Sequence, residues 1–233
     1  MQYNDIVYFI REGRKNEELR YSLRSVEKNF AHNDIWLYGG CPDCIIPDHH
    51  VKVYQDQPTK WQNVRMMLEM VCNNDQITED FWLFNDDFFV LKPTDKDINY
   101  YDGDLYRRIV KIEGRHDNKP SSYTLRLRKT VSDLENRGLG ALNYAVHLPM
   151  LVNRKKALEV LQAFPDNPMF RALYGNYWKI GGENHPDVKI AKTNIEVKPD
   201  MDYLSSQDSS FANGKVGEYI RKEFAEPSRW ESQ

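Results

Sequence analysis

The segment that most constrains the fold is an apolar run that ends abruptly in an acidic triplet. Residues 81–84 read Phe-Trp-Leu-Phe, Asn85, Asp86 and Asp87 follow at once, and a second apolar run begins at Phe88. Short, fully apolar runs are typical of strands that are buried on both faces. Burying both runs therefore brings the two carboxylates to the edge of the core, at the end of a strand.

The adjacent carboxylates of Asp86 and Asp87 predict a metal site. Two such groups beside an apolar strand repel each other and lose hydration, and a hard cation such as Mg²⁺ or Mn²⁺ removes both penalties. On this interpretation, removing one carboxylate from the metal-free protein relieves repulsion and leaves the fold intact or slightly more stable. The alternative is a plain turn between two strands, in which Asn85 and Asp86 are ordinary turn residues.

Strands and helices alternate through the first part of the chain. The apolar patterns predict strands at 5–10, 34–40, 50–54 and 81–84, and helices at 17–29 and 61–72. This order, β-α-β-β-α-β, predicts an α/β fold with a Rossmann-like sheet that is mixed but mostly parallel and flanked by helices. Ligands bind at the carboxyl ends of the strands in such sheets, so residues 1–98 are expected to form a nucleotide-binding half.

The second part of the chain carries weaker signals. Residues 106–129 are polar and rich in Lys and Arg, which predicts an irregular basic segment. Further elements are predicted as a helix at 154–164, a strand at 189–197 and a helix at 216–224. The length of 233 residues suits one domain.

Composition sets the broad class. A hydrophobic fraction of 40% supports a substantial core, and a net charge of −3 neither favours nor excludes a polyanionic partner. The three cysteines, Cys41, Cys44 and Cys72, form no disulfide framework and favour a reducing compartment. No apolar run reaches the roughly 18 residues that a membrane span needs, and the first residues lack the features of a secretion signal. We therefore expect a cytoplasmic protein without a transmembrane segment.

Four segments resemble, in the same order, the conserved regions of the Stealth proteins, which are sugar-phosphate transferases of capsule synthesis similar to the lysosomal N-acetylglucosamine-1-phosphotransferase. The matching segments are Asp-Ile-Val-Tyr at 5–8, Glu-Leu-Arg-Tyr-Ser-Leu-Arg-Ser-Val-Glu-Lys at 18–28, the triplet Asn85-Asp86-Asp87, and His147-Leu148-Pro149. The chain departs from the family at 9–13, where Phe-Ile-Arg-Glu-Gly replaces the usual Trp-Val-(Asn/Asp)-Gly, and it is shorter than most members. Related short proteins, including phage-encoded ones, look like plain glycosyltransferases with a GT-A-like fold.

The resemblance implies a metal-dependent transferase with a single GT-A-like domain over residues 1–233. Residues 1–98 would bind a nucleotide-diphosphate sugar, such as a UDP-sugar, and residues 99–233 would face the acceptor. The transferred group, sugar or sugar-1-phosphate, stays open, and the expected acceptor is a hydroxyl group of a glycan. Mn²⁺ or Mg²⁺ on Asp86 and Asp87 would hold the diphosphate, which gives Asp87 a catalytic role as well.

Two groups of polar residues are candidates for substrate binding, together with Asn85 of the triplet. Arg20 and Arg24 lie one helical turn apart and could grip a diphosphate, or else form a solvated face paired with neighbouring glutamates. The resemblance favours phosphate binding. The second group is at the start of the predicted helix near Thr59, where free N–H groups attract anions. Its members are Lys60, Asn63 and Arg65, with Trp61 available to stack on a base. The alternative there is an ordinary capped amphipathic helix.

Two histidines are candidate catalytic residues. His147 follows an apolar stretch and, through its match to His-x-Pro, is a candidate third metal ligand or general base for the acceptor hydroxyl. His185 lies in a glycine-containing loop beside Glu183, and Asp208 is a weaker candidate in a later loop. A purely structural role is the alternative for each of them.

The basic segment 106–129 supports a second hypothesis about the acceptor. Its basic residues, with Tyr106 and Tyr123 among them, would suit a modified base in phage DNA. A solvated surface is the alternative explanation. A third hypothesis is a non-catalytic carbohydrate-binding module, in which the acidic turn has no chemical role.

Overall fold

The computed structural model describes residues 3–115, 117 and 119–232. Its strands are β1 (Asp5–Ile10), β2 (Ile35–Gly39), β3 (His49–Lys52), β4 (Asp80–Phe84), β5 (Phe88–Val90), β6 (Tyr100–Tyr101), β7 (Met150–Asn153), β8 (Glu183–Asn184), β9 (Lys189–Ile190) and β10 (Tyr203–Ser206). Its helices are α1 (Glu17–Asn29), α2 (Lys60–Cys72), α3 (Leu105–Glu113), α4 (Ser122–Glu135), α5 (Arg154–Ala163), α6 (Phe170–Tyr177), α7 (Asp208–Asn213) and α8 (Lys215–Glu223).

The central sheet has five strands in the order β3-β2-β1-β4-β7. The first four are parallel, and β7 is antiparallel to β4. Alternate side chains of β1 enter two different cores: Ile6 and Tyr8 belong to the core that includes α1, and Val7 belongs to the core that includes α2, α4, α5 and α6. The strand is apolar throughout because both of its faces are covered. The prediction of a mixed, mostly parallel sheet flanked by helices is confirmed.

The connections on the two sides of β1 run in opposite directions along the sheet. The chain leaves β1 through α1 to β2 on one side, and it returns through α2 to β4 on the other side. The loops that follow β1 and β4 both line a crevice at the carboxyl ends of these two strands. In open α/β sheets this switch in strand order is where ligands bind.

A small second sheet, in the order β5-β10-β9, begins directly after the acidic triplet. Its first strand is fastened to α1 by buried hydrogen bonds. Ser22 Oγ donates to the carbonyl oxygen of Phe88 at 2.5 Å, and Asn29 Nδ2 donates to the carbonyl oxygen of Val90 at 2.8 Å. These bonds fix the direction in which the chain leaves the triplet.

The predicted irregular segment is wrong for most of its length, since α3 and α4 occupy residues 105–113 and 122–135. Asp104 Oδ1 accepts the N–H of Arg107 at 2.7 Å, and Ser121 Oγ accepts the N–H of Thr124 at 3.1 Å, so both helices have capped amino termini. Buried leucine, isoleucine and valine side chains at helical spacing hold the pair against the core. The strand predicted at 189–197 is limited to β9.

Candidate functional site

A cavity of about 660 Å³ opens at the carboxyl ends of β1 and β4. The loop after β1, the start of α2, the acidic turn, β9 and α7 form its wall. Charged side chains of both signs line it: Arg11, Glu12, Lys15, Glu17, Glu18, Lys60, Asp86, Asp87, Lys189 and Asp208. The cavity is therefore strongly polar and lies at the position where open α/β sheets bind ligands.

The triplet forms a turn whose carboxylates face this cavity. The N–H of Phe88 donates to the carbonyl oxygen of Asn85 at 3.2 Å, which closes the turn between β4 and β5. Asp86 and Asp87 line the cavity, whereas Asn85 is exposed outside its wall. The structure thus places the two predicted metal ligands in the cavity, whereas Asn85 belongs to the turn and lies outside the cavity wall.

Asp86 is held from the loop after β1. Its Oδ2 accepts a hydrogen bond from Asn16 Nδ2 at 2.7 Å. Burial raises the pKa of Asp86; the bond from Asn16 opposes this shift, and the charges of Asp87 and Asp208 reinforce it. This carboxylate consequently carries an electrostatic penalty that a bound cation would remove.

Asp87 has a counter-ion within the protein. It is 8% exposed, and its Oδ2 lies 2.8 Å from Lys189 Nζ and 2.7 Å from Ser205 Oγ. The expectation that removing one carboxylate would only relieve repulsion is therefore wrong for Asp87. Its loss would leave Lys189 and Ser205 without this partner, and breaking one side of a partly buried pair is destabilising.

A further acid of the cavity, Glu18, was not among the predicted site residues. Ser206 Oγ donates a hydrogen bond to its carboxylate. Burial raises the pKa of Glu18 to about 7, and the charges of Asp86, Asp87 and Asp208 add to this effect. Burial is the main cause of the raised pKa, and a perturbed acid in a cleft is a candidate site residue.

The carboxylates suit a hard cation that is shared with a ligand. In the part of the chain that the structure describes, no group of three or more His, Cys, Asp or Glu residues is placed to hold a metal ion by itself. Mg²⁺ is commonly held by one or two carboxylates, with substrate phosphates and water completing its coordination. Asp86 and Asp87 match that donor set, and His147 does not join them as a third ligand.

His147 lies outside the cavity wall and is paired with an acid. Its Nδ1 is 3.0 Å from Asp187 Oδ1, and its N–H donates to the same oxygen at 3.1 Å. Burial of Asp187 opposes ionisation, yet the bonds from His147 and the charge of Arg108 outweigh it and lower the pKa of Asp187 to about 2. An ionised Asp187 holds the Nδ1–H tautomer and leaves Nε2 as the basic nitrogen. The ring stands edge-on to that of Phe88, with the centroids 6.4 Å apart.

His185 does not share this site. Its Nδ1 lies 2.7 Å from the carbonyl oxygen of Pro186, and its ring packs edge-on against Tyr100. Asp208, the weaker candidate, does line the cavity at the start of α7. Of these two loop residues, the structure therefore brings only Asp208 to the site.

Arg20 and Arg24 bind the carboxyl-terminal segment instead of the cavity. Arg24 is 5% exposed, its Nε lies 2.6 Å from Glu231 Oε1, and its Nη1 donates to the carbonyl oxygens of Phe224 and Ala225. Arg20 is paired with the same glutamate. Since these guanidinium groups are committed to Glu231, the structure corrects their predicted role from phosphate binding to holding the end of the chain on α1.

The candidate residues at the start of α2 face two different directions, since some line the cavity and one faces α5. Lys60 and Asn63 line the cavity, and their binding of a substrate stays a prediction. Arg65 faces α5, where Nη2 donates to the carbonyl oxygen of Leu161 at 2.6 Å, so its predicted role is corrected to helix packing. Trp61 is covered by cations, with Lys60 Nζ at 4.5 Å and Arg126 Cζ at 4.8 Å from its ring. That arrangement leaves the indole as part of the α2–α4 contact.

Three of the eight basic residues in the segment 106–129 are paired with acidic neighbours. Arg128 pairs with Glu113 at 2.6 Å, Lys129 pairs with Asp133 at 2.7 Å, and Arg108 pairs with Asp187 at 3.3 Å. Side chains held in this way present less positive charge than the sequence suggests. Binding of nucleic acid by the remaining basic residues of the segment stays a prediction.

Several residues of the site were missed at the level of sequence. Asn16 stands immediately before α1, and asparagine is a preferred N-cap residue. The sequence therefore did carry a signal for the position of Asn16. Glu18 is the first residue of the longest segment that resembles the Stealth proteins. Lys189, Ser205 and Asp187 carried no local signal, because their partners are distant in the chain.

No protein-family model and no curated protein matches the chain. Among the described residues, none of the helices has both the length and the apolar character that crossing a bilayer requires.

Proposed function

We propose that this chain is a metal-dependent glycosyltransferase that moves a sugar, or a sugar-1-phosphate, from a nucleotide-diphosphate sugar to a hydroxyl group of a glycan. One observation carries the proposal: Asp86 and Asp87 line a cavity of about 660 Å³ at the switch point between β1 and β4. A cavity of this volume is within the range of small-molecule sites, which is about 300–1,000 Å³. A GT-A-like version of the α/β fold is part of the proposal.

The charges of the cavity wall suit a diphosphate bound together with Mn²⁺ or Mg²⁺. Asp86 and Asp87 would hold the cation, and Asn16 orients Asp86 by its hydrogen bond. When bound, such a cation neutralises negative charge that develops on the leaving diphosphate. Lys60 and Lys189 face the same space and add positive charge for the phosphate oxygens. UDP is the nucleotide that the resemblance to the Stealth proteins favours.

His147 is the candidate general base for the acceptor, although it lies outside the cavity wall, because it is paired with Asp187. Asp187 fixes the imidazole through Nδ1, so Nε2 is the nitrogen that would accept the proton of the acceptor hydroxyl. Phe88 packs on this histidine and follows Asp87 directly in the chain. Arg108 also contacts Asp187 and helps to keep it ionised.

A thermal-shift screen of nucleotide sugars tests the proposal. A ligand that binds only the folded state must raise the melting temperature, so UDP-sugars should stabilise the protein in Mn²⁺ and much less in EDTA. Asp75→Asn, an exposed carboxylate on the loop before β4, is the matched control and should respond as the wild type does. A protein that responds to no nucleotide sugar in Mn²⁺, and that releases no nucleotide from one, is not a transferase of this class.

A further inference from the structure

The ion pair between Lys189 and Asp87 has a consequence for how the cavity is loaded. Lys189 Nζ lies 2.8 Å from Asp87 Oδ2, and Ser205 Oγ donates to the same oxygen at 2.7 Å. The Asp87 side chain is 11% exposed and that of Lys189 is 29% exposed. The ammonium group thus neutralises Asp87 from within the protein while it remains in contact with the cavity.

The second sheet determines this pairing. Lys189 of β9 is in register with Ser205 of β10, and Ser205 is in register with Phe88 of β5. The register of these three neighbouring strands therefore places Lys189 in line with Phe88, the residue that follows Asp87. Because the pair joins positions 102 residues apart, it is a property of the assembled fold and not of a local turn.

A divalent cation on Asp87 and an ammonium group on the same carboxylate repel each other strongly at such short range. The lysine side chain can respond, since its four-carbon stem is flexible and its ammonium group is a mobile point charge. Lys189 already lines the cavity in which a diphosphate would lie. The group displaced from Asp87 therefore has a second anionic partner within reach.

We propose that Lys189 is an internal counter-ion that leaves Asp87 when the divalent cation binds this carboxylate, and that Lys189 then contacts the diphosphate of the donor. This inference rests on the proposed function. Metal binding frees the lysine for the diphosphate, and the diphosphate draws the lysine away from Asp87. Each ligand consequently strengthens the binding of the other, which is positive coupling between metal and nucleotide.

Two substitutions of Lys189 shift metal affinity in opposite directions. Lys189→Met removes the competing charge, so Mn²⁺ alone should bind about tenfold more tightly than to the wild type. Lys189→Arg supplies a guanidinium group that holds a carboxylate with two hydrogen bonds, so Mn²⁺ alone should bind several-fold more weakly. Lys192→Met, an exposed lysine three residues further on, is the control and should leave Mn²⁺ affinity unchanged.

Electron paramagnetic resonance of free Mn²⁺ measures these affinities without any turnover, first with Mn²⁺ alone and then with UDP added. In the wild type and in Lys192→Met, UDP should tighten Mn²⁺ binding, and in Lys189→Met this coupling should be smaller, because only the direct contact between the cation and the phosphates remains. A Lys189→Met protein that is unstable without metal should show a larger rise in melting temperature with Mn²⁺ than the wild type.

The outcomes separate this inference from the proposed function. If Mn²⁺ and UDP bind together to the wild type but Lys189→Met binds Mn²⁺ no more tightly and Lys189→Arg no more weakly, the exchange is wrong and the transferase proposal stands. If UDP binds the wild type equally well with and without Mn²⁺, metal and nucleotide are not coupled, so both the exchange and the metal dependence of the proposed function are overturned. If no variant binds Mn²⁺ with or without UDP, the metal-dependent function itself fails.

Discussion

Asn16 joins the start of helix α1 to the acidic turn through the two ends of one side chain. Its Oδ1 accepts the N–H of Leu19 at 2.9 Å and caps the helix, and its Nδ2 donates to Asp86 Oδ2 at 2.7 Å. The amide therefore connects the loop after β1 with the loop after β4, which are the two walls of the crevice at the switch point. Asn16 therefore both caps α1 and holds Asp86, a proposed metal ligand.

Asn16→Ala should weaken both the fold and the site. Loss of the cap should lower the free energy of unfolding by about 1 kcal/mol, within a usual range of about 0.5–2 kcal/mol. Loss of the bond to Asp86 should also weaken Mn²⁺-dependent UDP binding. Ser121→Ala removes the cap of α4, outside the cavity, and should reduce stability without affecting UDP. Equal UDP affinities in the two variants would show that Asn16 serves the helix alone.

The two carboxylates of the turn should respond differently to substitution in metal-free buffer. Asp86→Asn should be as stable as the wild type or more stable at about pH 8, because the ionised carboxylate is disfavoured by burial. Asp87→Ala should lose about 1–3 kcal/mol, because Lys189 and Ser205 lose their shared acceptor. Urea unfolding in EDTA measures both values, and equal losses in the two variants would contradict the distinction.

Glu231 should contribute stability only while it is ionised. Burial of its carboxylate is outweighed by hydrogen bonds from Arg24, Ser228 and Arg20, which lower the pKa of Glu231 to about 2. A lowered pKa in the folded state gives stability that is present above the ordinary glutamate value and is lost as the pH falls through about 2. Glu231→Gln should therefore cost about 3 kcal/mol at neutral pH and progressively less below about pH 4.5.

Urea midpoints at about pH 7, 4 and 3 test that pattern, and a pH-independent difference would rule out the ion pair as its cause. Folded Glu231→Gln protein should also bind UDP as the wild type does. This second measurement checks that Arg20 and Arg24 hold the carboxyl-terminal segment and not the nucleotide.

Leu83→Ala should separate stability from function. Leu83 is buried in the core beneath the turn, and such large-to-small changes cost about 2–5 kcal/mol. Activity should fall only in proportion to the folded fraction, so activity divided by the folded fraction from circular dichroism should equal the wild-type value. A lower specific activity of the folded protein would mean that the strand end, and not only stability, depends on this side chain.

Local patterns were sufficient for most of the central sheet. The predicted ranges 5–10 and 17–29 coincide with β1 and α1. Continuous burial and helical periodicity both produce an apolar pattern that is visible within a few residues of sequence. The helices α3 and α4 also had local signals in Asp104 and Ser121, but clustered basic residues are equally typical of irregular surface. The many basic residues therefore led to the prediction of an irregular segment where the structure has two amphipathic helices.

Sequence alone could predict only those site residues whose position follows from a neighbouring strand or helix end. The carboxylates of Asp86 and Asp87 lie at a strand end, and Lys60 lies at a helix start, so sequence alone placed them in the cavity. Arg24 was misassigned because its partner, Glu231, is 207 residues away. Lys189 was missed for the same reason. Pairing over such distances is decided by tertiary packing, which one sequence does not display.

Calorimetric titration of UDP into the protein, with Mn²⁺ and then with excess EDTA, tests directly whether the cavity is a metal-dependent nucleotide site. The wild type should bind UDP in Mn²⁺, EDTA should abolish or greatly weaken this binding, and Asp86→Asn should lose it while remaining folded. Asp75→Asn should bind as the wild type does. Failure of the wild type to bind UDP in Mn²⁺, or undiminished metal-dependent binding by Asp86→Asn, would contradict the assignment of this cavity as a metal-dependent nucleotide site.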